Sequence, residues 1–286
     1  MGPQLWERYS QDRKRIILAA PHRPHPENWS DTGLHAAWLG HSSVLLKIDG
    51  ITVLTDPVLG SRAGLTVGPV TVGLKRLVAP ALTVEETPQP DLILLSHTHM
   101  DHFDITTLRG LESPETQVIT AARTSDLLRT PKYQEVTELA WGQQTRFKDL
   151  TIRAFEVNHW GARMRTDTWR GFNGYVIDSP RYRILFGGDT AMTNTFRKMR
   201  TSRPVDLAIM PIGAYNPWIH AHCTPEQALK MANDAGSDFV LPVHHKTFNL
   251  SSEPYLEPIE RMVNAVAQDA RRLALSEIGE EFHFSK

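Results

Sequence analysis

The chain has 286 residues, 41% hydrophobic and 22% charged, a globular composition that excludes disordered and collagen-like chains and is enough for a layered core. Its 31 basic and 32 acidic residues leave a formal charge of -1, so no overall field draws in a nucleic-acid backbone or an anionic membrane, and no nucleic-acid partner is expected. One cysteine, Cys223, rules out an intramolecular disulfide and fits a reducing compartment; with no long apolar window and only a short apolar run at 16–20, the expectation is a cytoplasmic protein that touches membranes at most peripherally.

Residues 1–33, rich in Pro, Arg and Trp, read as an arm over the core with a short helix at 6–16. β-rich runs at 35–39, 44–48 and 51–55 predict strands, the last two joined by Asp49-Gly50, a two-residue hairpin signal. The Gly- and Pro-rich stretch 58–88 predicts a long surface loop. Further strands are expected at 91–95, 117–120, 151–157, 172–177, 182–186, 206–210 and 239–243, with helical stretches between several of them. One helix starts at Thr224, where Pro225 and Gln227 complete a capping box, and ends near Gly236. A last amphipathic helix covers about 255–273, with Ile259, Met262, Val263 and Val266 on one face. This alternation predicts a single layered α/β domain with helices outside two sheets.

The stretch Ser96-His97-Thr98-His99-Met100-Asp101-His102 sets three imidazoles and a carboxylate directly after a buried strand. Imidazole nitrogens and carboxylate oxygens are the donors that borderline divalent metals accept, and a turn at a strand end aims alternate side chains inward. His159, Asp189 after Gly187-Gly188, and His244 also sit just past the ends of predicted strands. Each is weak alone; their shared position makes them candidate ligands. The basic cluster Arg163, Arg165 and Arg170 reads as a solvated face.

The ordered stretches Trp38-Leu39-Gly40-His41-Ser42, Leu54-Thr55-Asp56-Pro57, the His97 motif, His159-Trp160, Gly188-Asp189-Thr190, Pro211-Ile212-Gly213-Ala214-Tyr215 and His244 to Phe248 resemble the metallo-β-lactamase superfamily, and within it the N-acyl-phosphatidylethanolamine phospholipase D group and its bacterial relatives. The resemblance spans about residues 36–258. It implies a four-layer αββα sandwich and two divalent ions, zinc first, with manganese or iron as alternatives. The residues matching His97, His99 and His159 would hold one ion, those matching Asp101, His102 and His244 the other, and Asp189 would bridge them. His245 competes with His244, because the family carries an aromatic residue after its final ligand; the register of Thr247-Phe248 favours His244.

Two ions so placed would polarise a scissile group and acidify a water. Asp101 would also orient the nucleophile. His222 is the provisional proton donor or oxyanion stabiliser, with His220 and His41 below it. Asp56 would hold a ligand imidazole by its second nitrogen. Tyr215, Pro217 and Trp218 would wall the pocket, and Trp160 would cover the metals. The expected reaction is hydrolysis of a phosphodiester in a small or lipid-like substrate, phospholipase D-like. Opening of a lactone or other cyclic ester or amide is the alternative, since one fold hosts many reactions. Readings of another class are a non-catalytic metal-binding protein and a di-iron redox protein.

Overall fold

A computed structural model describes residues 12, 15–67, 70–128 and 132–286. The first sheet begins with β1 (Leu34–Gly40), β2 (Ser43–Ile48) and β3 (Ile51–Thr55), an antiparallel meander. β4 (Arg62–Val67) and β5 (Val70–Lys75) form a separate two-stranded sheet among the described residues. β6 (Leu92–Leu95), β7 (Gln117–Ala121) and β8 (Glu135–Leu139) then extend the first sheet in parallel from β3. The second sheet runs through β9 (Gln144–Phe147), β10 (Leu150–Phe155), β11 (Gly174–Asp178), β12 (Arg183–Phe186), β13 (Val205–Pro211) and β14 (Ser237–Val243), in order 14-13-12-11-10-9. β15 (Glu281–Phe284) returns to the first sheet beside β1.

The two-residue period of the second sheet explains the layers. Tyr175, Ile177, Ile184, Phe186, Leu207 and Ile209 point inward and join the side chains of the first sheet in one core. Their neighbours Val176, Leu185, Ala208 and Met210 point outward. There they pack under α2 (Pro225–Ala235) and α3 (Glu257–Ala265), which lie C-terminal to the short helix α1 (Ile105–Gly110). The result is the αββα sandwich of the metallo-β-lactamase fold. Among the described residues, no helix is long and apolar enough to cross a membrane.

α2 starts as its sequence predicts: the Thr224 side chain accepts from Gln227 N, Gln227 reaches back to Thr224 N, and Gly236 closes the helix at φ 78°. Other expectations need correction. The stretch 58–88 carries the β4–β5 hairpin rather than an unstructured loop. The last helix stops at Ala265; a 3-10 segment, Ala267–Arg272, follows, broken at Asp269 (φ -145°), and Val263 faces solvent. β10 ends at Phe155 and β11 starts at Gly174, inside the predicted bounds. The expected helix at 6–16 falls almost wholly outside the described residues.

Candidate metal centre

Every donor in the centre comes from a loop at one end of the two sheets. β6 delivers the turn carrying His97, His99, Asp101 and His102, and Arg163 braces that turn by donating to the carbonyls of Thr98 (3.1 Å) and Phe103 (2.8 Å). His159 follows β10, Asp189 follows β12 and His244 follows β14. Gly188 (φ 56°) lets Asp189 in: a Cβ there would lie 2.8 Å from both Asn173 O and Ser96 Cβ. His244 (φ 64°) turns on a bond from its N–H to His41 O, 3.0 Å.

The donor atoms form two adjoining groups. In the first, His97 Nε2 lies 2.8 Å and His159 Nε2 3.3 Å from His99 Nδ1, and His159 Nε2 is 3.8 Å from Asp189 Oδ2. In the second, Asp189 Oδ2 stands 3.1 Å from His102 Nε2 and 3.0 Å from His244 Nε2. Asp101 Oδ2 stands 3.7 and 3.6 Å from the same two nitrogens. A tetrahedral ion with bonds of roughly 2.0–2.1 Å holds its donors roughly 3.3 Å apart, and both groups bracket that spacing.

The unused nitrogens explain how the rings are aimed. Ser96 N and Ser96 Oγ donate to Asp56, at 2.7 and 2.5 Å, and His102 Nδ1 donates to it at 2.7 Å. Because Ser96 Oγ spends its proton on Asp56, it accepts from His97 Nδ1 at 2.8 Å. One buried carboxylate therefore holds two imidazoles, turning the Nε2 lone pair of each into the site. His159 Nδ1 donates to Ala221 O, 2.9 Å, with the same effect.

The electrostatics fit a cation. His97 and His159 are pushed well below the usual imidazole range and His99 is pushed down, foremost by burial, which keeps them neutral as ligands must be. Burial also works against charge on His102 and His244, yet the Asp189 and Asp101 carboxylates overcome it, raising His244 to about 9 and His102 well above its ordinary value. Burial likewise opposes charge on Asp101 and Asp189, but the imidazoles, His102 foremost, hold both well below the carboxylate range. The nest thus carries surplus negative charge that draws protons in. Yet His102 Nε2, His244 Nε2 and Asp189 Oδ1 are buried without a hydrogen-bond partner. Ring nitrogens that close to a carboxylate but not aligned to donate to it suit a metal ion better than a proton.

His222 lies beside this nest, its Nδ1 3.8 Å from Asp189 Oδ2, and burial lowers it to about 4. Above it opens a cavity of about 210 Å³ lined by His99, Asp101, Asp189, His222 and the half-exposed Trp160 and Trp218. Trp160 packs on His159 and His99, centroids 4.4 and 4.8 Å apart.

Several candidates lie elsewhere than expected. Tyr215 and Pro217 are not in the lining of this cavity: Glu253 accepts from Ala214 N and Asn216 N, turning the loop so that Tyr215 OH donates to Glu257 at 2.7 Å. His245 stacks on Trp38 in the core, centroids 4.5 Å apart, leaving His244 facing the site. His220 is exposed. The basic cluster is not a solvated face: Arg170 is buried against Asp126 and Asp167, Arg163 braces the histidine turn, and only Arg165 lies in the open. His41, ranked low from sequence, is buried with Nε2 2.9 Å from Asp101 Oδ2; its one signal was its place in the Gly40-His41-Ser42 stretch.

A sandwich of two sheets with His and Asp donors clustered at one end is the arrangement of the metallo-β-lactamase fold. The profile of the Beta-lactamase superfamily domain matches residues 52–245, and the chain belongs to that family. It is 34% identical over 240 residues to the uncharacterized protein Rv0906 of Mycobacterium tuberculosis, covering 81% of this chain, and it spans only 64% of that relative's length. It is 30% identical over 251 residues to N-acyl-phosphatidylethanolamine-hydrolyzing phospholipase D 1 of Caenorhabditis elegans, covering 82% of this chain and 70% of the relative. The crystal structure of an isothiocyanate hydrolase from Delia radicum gut bacteria shares the fold, with TM-score 0.70 at 18% identity over 88% of this chain and 99% of the other.

Proposed function

We propose that the chain is a dinuclear metal-dependent hydrolase of phosphodiesters, phospholipase D-like in its chemistry. The observation that carries the dinuclear reading is the reach of Asp189 Oδ2, within 3.8 Å of His159 in one donor group and within 3.1 Å of His102 and His244 in the other. In this reading His97, His99 and His159 would hold one ion, Asp101, His102 and His244 the second, and Asp189 would serve both. Zinc suits the donor set and its spacing; manganese and iron accept the same atoms. A bound pair supplies a Lewis acid and acidifies water.

The chain's own residues do the rest. Asp101 lines the cavity and orients the attacking water. Neutral His222 donates an N–H to the substrate oxygen on which charge develops. Trp160 and Trp218 shield the reacting group from bulk water and pack against its apolar part. The phosphodiester assignment is supported by likeness to the Caenorhabditis elegans phospholipase. Its test is hydrolysis of bis-p-nitrophenyl phosphate and release of phosphatidic acid from phospholipid vesicles, before and after chelation. Asp189→Asn should cut turnover by more than the roughly 10–100-fold typical of losing an outer partner, with the fold retained by circular dichroism. Full turnover after stringent chelation overturns the reading.

A second reading has its own observation. Among the described residues no Lys or Arg lines the small cavity over the centre, so a neutral cyclic ester or amide is accommodated as well as an anion. Initial rates on lactones against phosphodiesters decide between them.

A further inference from the structure

His41 stands outside the ligand set assigned above, although one of its ring nitrogens lies within 4.8 Å of the Asp101, His102 and His244 donor atoms, and the fold makes several contacts to it. It occupies the β1–β2 turn at φ 53°, a left-handed conformation that a side chain adopts only when its surroundings fix it. Its N–H donates to Thr247 Oγ1 at 2.7 Å. Its carbonyl accepts from Trp38 Nε1 at 2.8 Å and from His244 N at 3.0 Å. The ring is 1% exposed and wedged between His244, His102 and Phe248, centroids 4.2, 5.1 and 5.1 Å away. What it touches polar-wise is one atom, Asp101 Oδ2, at 2.9 Å from Nε2.

Asp101 depends on that contact. It is the most solvent-exposed of the carboxylates around the centre, and it sits on a turn rather than a strand. Among the described residues His41 alone hydrogen-bonds its carboxylate; the nitrogens of His102 and His244 stand at 3.7 and 3.6 Å, beyond hydrogen-bond reach. A carboxylate only accepts, so the His41 tautomer in contact with it carries its proton on Nε2. In that tautomer Nε2 is a donor to Asp101 and not a metal ligand.

Resting on the dinuclear reading above, we propose that His41 is a positioning residue for the second ion: its Nε2–H, clamped by the β1–β2 turn, fixes the Asp101 carboxylate over His102 and His244 and so sets the affinity for that ion alone. The first group, His97, His99 and His159, makes no contact with His41 and keeps its affinity.

The test titrates metal-free protein with Zn²⁺ against a chromophoric chelator, and with Co²⁺ followed by visible absorption, resolving the first and second equivalents. His41→Asn tolerates the left-handed turn but falls short of Asp101; His41→Gln carries an amide N–H to about the place of Nε2. In His41→Asn the first equivalent should bind as in the natural chain and the second roughly 10–100-fold more weakly, as for loss of an outer partner elsewhere. His41→Gln should recover most of that loss. Far-UV circular dichroism of the metal-free variants establishes that both fold; should His41→Asn not fold, His41→Gln against His41→Ala carries the same comparison. An unchanged second equivalent in His41→Asn overturns the proposal. So does a His41→Gln variant as weak as His41→Asn, which would make His41 itself a ligand. A natural chain that binds one equivalent overturns the dinuclear reading and this proposal with it, whereas two equivalents with an unaffected variant overturn this proposal only.

Discussion

Asp56 ties two of the candidate ligands together, His102 directly and His97 through Ser96. It is fully buried and takes three hydrogen bonds, from Ser96 N, Ser96 Oγ and His102 Nδ1. Asp56→Ala strands these donors. Ser96 Oγ can turn elsewhere, but the other two cannot, and each buried unsatisfied donor costs about 1–3 kcal/mol. Metal-free Asp56→Ala should therefore lose roughly 2–6 kcal/mol in urea denaturation, a large part of the roughly 5–15 kcal/mol that domains possess. Asp56→Asn separates folding from function. Its oxygen can still accept from Ser96 N, so the metal-free protein should lose less stability than Asp56→Ala does. Its NH₂, however, then faces His102 Nδ1 and Ser96 Oγ as a donor. Both relays reverse, and His102 and His97 are driven to carry their protons on Nε2, toward the site. Zn²⁺ affinity measured by chelator competition should fall about 10–100-fold, or about 1.4–2.7 kcal/mol. An Asp56→Ala variant within about 1 kcal/mol of the natural chain, or an Asp56→Asn variant with undiminished Zn²⁺ affinity, would refute this account of how the rings are aimed.

Two further outcomes follow from contacts away from the donor atoms. His35 Nε2 donates to Thr32 O at 3.1 Å and its Nδ1 meets His283 Nδ1 at 2.7 Å, and burial foremost lowers its pKa from 6.5. The unfolded chain therefore binds this proton first, so stability is whole above pH 6.5, begins to fall as pH drops through it, and levels off below the depressed folded value. Melting temperatures of metal-loaded protein between pH 7.5 and 5 should show a shallower fall in His35→Gln; parallel curves would exclude His35 as the cause. Arg163→Ala removes the charged donor that ties Thr98 O and Phe103 O together, and should lower stability by about 1.5–3 kcal/mol in denaturant titrations, more than Arg165→Ala, whose side chain is exposed.

What could be read in advance follows the range of the interactions. The His97–His102 cluster is local, and His159, Asp189 and His244 announce themselves by following apolar runs, so the layered fold and the convergence of the candidates were legible. The edge strands were not. β9, Gln144–Phe147, is mostly polar and exposed, and β15 exists only because β1, some 240 residues earlier, offers it an edge. The β4–β5 hairpin hid behind Gly64 and Gly73, which read as loop residues. In the folded chain they pair, and so closely that a Cβ on either would meet backbone at 2.0 Å. His41 carried only the weak signal of its place in the Gly40-His41-Ser42 stretch, because the carboxylate it meets is sixty residues away. Arg163 and Arg170 looked like solvent-facing charge because their acceptors are carbonyls and acids that only tertiary structure brings near.

His41, Asp56, Ala214 and His244 all hold positive φ, between 33° and 64°, within one end of the sandwich. For residues with a Cβ this costs on the order of 1 kcal/mol apiece, and glycine would relieve it at each. At three of the four positions glycine would also delete an imidazole or carboxylate of the candidate metal centre. Selection for thermal robustness and selection for this chemistry therefore pull in opposite directions here, and a laboratory search for hardier variants should find its gains in the helices and the far end of the sheets.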